Sequence, residues 1–96
     1  MPSYRVTLAV GKLAPGAAPD AVLPEAARLV AEVTVVEAKD VRLLRGAPCA
    51  VVRFEAPSDE IADAVAAHAA DGLASTAEVR SAVLTRRDGS RWTPVG

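Results

Sequence analysis

Polar and apolar residues alternate from Tyr4 to Val10, with Tyr4, Val6, Leu8 and Val10 on one face and Arg5, Thr7 and Ala9 on the other. That period predicts a half-buried strand. "GKLAPGAAPD" follows, and its two Gly and two Pro predict an irregular loop. The pattern then changes to helical spacing, with Val22, Ala26, Leu29, Val30 and Val33 on one stripe and Glu25, Arg28 and Glu32 outside it. Asp20 is placed to cap this helix, or Pro24 to open it. "TVVEAKDVRLLRGAPCAVVRFEA" predicts two strands about a Gly46-Ala47-Pro48 turn, the second turning Ala50, Val52 and Phe54 inward. Ser58 is an N-cap ahead of Asp59 and Glu60, and Ile61, Val65, Ala69 and Leu73 form the second helical stripe, with Gly72 near its end. A last strand is expected over about 79–87, and Asp88-Gly89 predicts a hairpin into a short terminal strand.

The order strand, helix, strand, strand, helix, strand plus a C-terminal hairpin predicts an α+β fold in one domain spanning 1–96, with no linker or low-complexity tract. It resembles the ferredoxin-like βαββαβ plait, in which two helices cover one face of an antiparallel sheet. The resemblance covers nearly the whole chain and is one of architecture. In the plait's usual strand order, 4-1-3-2, the first, third and last βαββαβ strands are neighbours. Their outward residues then share the helix-free face. With Val79 and Val83 taken as inward, that face receives Arg5, Arg53, Arg80 and Arg86, with Val51, Ala82 and Leu84 between them. Guanidinium groups so placed suit carboxylate or phosphate, whereas the apolar gaps suit self-association through Val51 and Leu84. Trp92, across the hairpin tip from Arg87, is expected as a lid over the sheet edge with an arginine on its ring, or as an exposed anchor for a partner protein.

Composition narrows the chemistry. The hydrophobic fraction is 51% with only 3% aromatic, so the core is built from Val, Leu and Ala. Eleven basic residues against twelve acidic ones, and an isoelectric point near 5.7, argue against nucleic acid as a partner. The RNA-recognition domains of the plait stack bases on aromatics of the first and third strands. Here the alternation turns Tyr4 and Phe54 inward. Cys49 is the only cysteine, expected as a small buried strand residue, and no metal site or cofactor is expected. His68, the only histidine, is expected to be partly buried on the second helix. The absence of a long apolar run or leader reads as a soluble, cytoplasmic chain without a membrane partner.

"MPSYRVTL" resembles the start of the tautomerase superfamily, in which a proline freed by removal of Met1 begins the first strand and shuttles a proton. The repeated strand-helix-strand order is similar to the fused members of that superfamily. The resemblance implies keto–enol chemistry at Pro2 with an arginine holding an acidic substrate. It departs from the family in the second half, where no residue matches a motif for that arginine. The reading that emerges is a non-catalytic binding or assembly module. It is expected to form a homodimer through its sheet face and to take an anionic small molecule or a partner protein, with Pro2 only leading the first strand. The alternative is a small proline-dependent enzyme using Pro2.

Overall fold

A computed structural model describes residues 1–96. The elements run β1 (Ser3–Leu13), α1 (Val22–Ala31), β2 (Val36–Leu44), β3 (Ala47–Glu55), α2 (Asp59–Leu73), β4 (Ala77–Asp88) and β5 (Arg91–Pro94), with a single turn of 3-10 helix at Pro19–Ala21 leading into α1. The five strands form one antiparallel sheet in the order β2-β3-β1-β4-β5. The two helices pack side by side on one face, which makes an α+β, plait-like fold.

The alternation of β1 sorts its residues as the sequence predicts. Tyr4, Val6, Leu8 and Val10 are buried under the helices, and on β3 Ala50, Val52 and Phe54 join them. Tyr4 and Phe54 stack with ring centroids 6.0 Å apart. Half of the core residues on the helices are alanine, Ala26, Ala27, Ala62, Ala66 and Ala69, which lets the backbones approach each other and the sheet. Ser58 caps α2 by accepting a hydrogen bond from the Ile61 N–H at 3.2 Å.

Several elements differ from the sequence expectation. β1 continues through Gly11–Leu13, residues expected in the loop, because β4 pairs with it as far as Ala77. The β2–β3 turn is at Arg45-Gly46, whose φ values of 54° and 78° are both positive, so Ala47 and Pro48 belong to β3. Val33 and Ile61 are exposed, at 52% and 50%; Val33 lies beyond the last turn of α1, and the α2 stripe is rotated toward Ala62 and Ala66. That rotation also leaves His68 exposed instead of partly buried, where its Nε2 lies 2.9 Å from Glu32 Oε1 and links the two helices. Cys49 is buried.

The most consequential difference is in β4. Ser81 lies opposite Ala9 while Val79 lies opposite Val10, so one extra residue, Arg80, is inserted in β4 between them. Val79 therefore faces the helices, and so do Ala82, Leu84 and Arg86, which lie opposite Leu8, Val6 and Tyr4. Ser81, Val83, Thr85 and Arg87 take the open face instead.

Candidate functional site

The open face is assembled from all five strands, which a period-two pattern aims the same way. Arg5 is flanked across the ladders by Arg53 of β3 and Thr85 of β4. Arg53 in turn neighbours Ala38 of β2, and Arg42 sits further along β2 opposite Cys49. At the other edge Arg87 pairs with Trp92 of β5. Because Thr85 is short, the Trp92 ring leans across it and meets the Arg5 guanidinium, whose Cζ lies 4.0 Å from the ring centroid. The Arg53 Cζ lies 5.4 Å from the same centroid. A guanidinium over an indole at this range gains about 1 kcal/mol when partly shielded from water.

The arginines on this face are unequally satisfied. Arg53 donates to Glu37 Oε1 at 3.2 Å, Arg42 lies 3.7 Å from Asp40, and Arg87 donates to the Gly89 carbonyl at 3.0 Å. Arg5 has no carboxylate partner. Its pKa is lowered, first by burial and then by the positive charges of Arg42, Arg53 and Arg87. Beside it a hollow of about 280 Å³ is lined by Arg5, Arg42, Arg53, Asp40, Lys39, Ala38 and Val51. Arg5 is thus a half-buried cation among like charges, open to a hollow in whose lining Asp40 is the one carboxylate, an arrangement chemically suited to an anion.

Of the residues singled out from sequence, Arg5, Arg53 and Trp92 come together here. Val51 also points to this face, at the floor of the hollow, where it is only 5% exposed. Arg80, Arg86 and Leu84 do not join them. Arg80 occupies the bulge, exposed and paired with Glu78 at 3.0 Å. Leu84 is part of the core at 7% exposure, so it offers no surface to a second chain. Arg86 is turned to the helix side, where its Nη1 holds both oxygens of Asp59 at 2.9 and 2.6 Å and its Nε donates to Asp88 at 3.2 Å. The Tyr4 hydroxyl donates to the same Asp59 at 2.7 Å. These bonds hold the Asp59 carboxyl below its ordinary range, the Tyr4 bond contributing most, and the Arg86 pKa is raised by Asp88 and Asp59. In that network the one guanidinium is met by two carboxylates, which fastens the start of α2 to β1 and β4. Arg42 and Arg87 were missed. The pairing of Arg87 with Trp92 was legible in the hairpin, but its face depends on the bulge at Arg80.

Pro2 is exposed ahead of β1, and its carbonyl accepts a hydrogen bond from the Ala56 N–H at 3.2 Å. It lines none of the three main hollows. No helix is long and apolar enough to cross a membrane. Compared with protein-family models, curated proteins and solved structures, the chain matches none.

Proposed function

We propose that the protein is a non-catalytic binding module of the ferredoxin-like plait type, extended by β5, whose open sheet face takes an anionic group of a small molecule or a partner protein. The strand order β2-β3-β1-β4 with helices after β1 and β3 supports the architectural part. The observation that carries the functional part is Arg5: partly buried, stacked on Trp92, crowded by three arginines and paired with no acid. A carboxylate or phosphate in the adjoining hollow is within the reach of Arg5, Arg42 and Arg53, and the planar forks of these side chains give it directional donors.

The same observation weighs against the face as a self-association surface. Laying it against a copy of itself would bring arginines onto arginines, and the apolar residues meant to offset this, Val51 and Leu84, are already buried. The test is a titration with inorganic phosphate and with citrate at low ionic strength, followed by emission of Trp92, the only tryptophan. Saturable binding is expected. Arg5→Gln is expected to raise the dissociation constant about tenfold or more, the loss of one charge-assisted contact. An affinity unchanged in Arg5→Gln and Arg53→Gln refutes the assignment.

A further inference from the structure

The two edges of the sheet are unlike. β5 is four residues long and ends in Pro94, which has no N–H to offer another strand. β2 is nine residues long, contains no proline, and eight of the nine are exposed. An edge of that length with free backbone groups is a template for another strand unless something covers it.

Which backbone groups are free follows from the turn. In a two-residue hairpin loop the flanking pair, here Leu44 and Ala47, exchange hydrogen bonds across the ladder. Counting back, Leu44, Arg42, Asp40 and Ala38 direct their backbone groups to β3, and Leu43, Val41 and Lys39 direct theirs outward. The Val41 N–H agrees with this, since it donates to its neighbour's carboxylate, Asp40 Oδ1, at 2.8 Å. The side chains sort in the other direction. Val41 and Leu43 stand on the helix side, 56% and 73% exposed, beyond the cover of α1. Asp40 and Arg42 stand on the open side.

We propose that β2 is the edge through which two copies of this chain pair, antiparallel about a two-fold axis at Val41. That register brings outward backbone groups together. It sets Val41 against Val41 of the second copy, where the exposed side chains cover each other, and lays the stem of Lys39 along Leu43 of the second copy. It also sets Asp40 opposite Arg42 of the second copy, and the reverse, so that two opposite-charge pairs form by symmetry. Shifting the axis by one residue puts Asp40 against Asp40, or Arg42 against Arg42. Charge complementarity therefore selects one register among its neighbours. The assembly closes at two, because the contact is isologous and leaves only the short, proline-ended β5 strands as edges of a sheet with five strands from each copy. The inference does not rest on the anion reading and survives its failure, although the two share Asp40 and Arg42, which line the hollow.

The experiment is sedimentation equilibrium on the full chain with four variants. The wild type is expected at twice the 9.9 kDa chain mass at micromolar concentration. Asp40→Arg and Arg42→Asp are each expected to raise the dimer dissociation constant about tenfold or more by placing like charges opposite each other. An equimolar mixture of those two variants restores complementarity in the mixed pair, and a dimer is expected again. The doubly swapped chain, Asp40→Arg with Arg42→Asp, is expected to dimerise as the wild type does. Recovery in the mixture separates a lost interface from a lost fold. Val83→Asp, an exposed position on the open face, is expected to leave the dimer intact. A monomeric wild type overturns the proposal. So does a dimer that persists in both single-charge variants, or one that Val83→Asp dissolves.

Discussion

Gly72 sits one residue before the end of α2, where that helix meets α1, and replacing it with alanine sets two effects of opposite sign against each other. A Cβ there would lie 2.9 Å from Leu29 Cδ1, closer than carbon atoms tolerate, and 3.2 Å from Leu29 Cγ, tighter than most such contacts. Leu29, on α1, is 5% exposed and part of the core, so it has little room to yield. Overpacking of this kind costs about 1–3 kcal/mol. Against it stands the better helix propensity of alanine, worth about 1 kcal/mol in a helix interior and less near an end. The steric cost wins, and Gly72→Ala is expected to destabilise the protein by about 1 kcal/mol, a fall of about 4–8 °C in melting temperature for a domain of this size.

The sign should reverse once Leu29 is shortened. Leu29→Ala alone costs about 2–5 kcal/mol through lost burial and the cavity left behind. In that background the Gly72→Ala methyl meets open space, and the substitution is expected to stabilise by about 0.5–1 kcal/mol. Urea unfolding of the four proteins, followed by far-ultraviolet circular dichroism, measures the cycle. The expected coupling is about 1.5 kcal/mol or more, well beyond the few tenths that independent sites show. If Gly72→Ala stabilises the wild type, or if the two effects simply add, the close approach of the helices does not constrain this position.

Two further outcomes are expected. Stability should fall in acid, because Asp59, Asp88 and Glu32 are all held below the ordinary carboxylate range, chiefly by Tyr4, Arg86 and His68 respectively. A carboxylate depressed in the folded state stabilises fully above its unfolded pKa of about 4 and ceases to do so as the pH drops through its folded value. Urea midpoints between neutral pH and strong acid should show this loss, with the gap between wild type and Tyr4→Phe narrowing as Asp59 is protonated; a gap that widens in acid refutes the role given to the Tyr4–Asp59 bond. Pro2, exposed and fastened by its carbonyl alone, is expected to lead β1 without chemistry, so protein shown by intact mass to have lost Met1 should not tautomerise phenylpyruvate. Turnover that disappears in Pro2→Ala would reverse that reading.

The alternation of β1 and β3 was legible from sequence because side-chain direction along a strand is a local property of the backbone. It placed Tyr4 and Phe54 inward and Arg5 and Arg53 outward, as the structure has them. The Ser58 cap and the Arg87–Trp92 pairing were legible for the same reason, each being made by residues close in sequence. The open face contributed by β4 was not. One inserted residue at Arg80 reverses the direction of every side chain beyond it, and a bulge arises from the fit of one strand against its neighbour. Arg86 consequently serves the start of α2, while Arg87 takes the face assigned to it. The lean of Trp92 across Thr85 onto Arg5 likewise needs three strands in register, two of them far apart in sequence. Local pattern determines which way a side chain points relative to its neighbours along the chain; only the assembled sheet decides which other side chains it meets there.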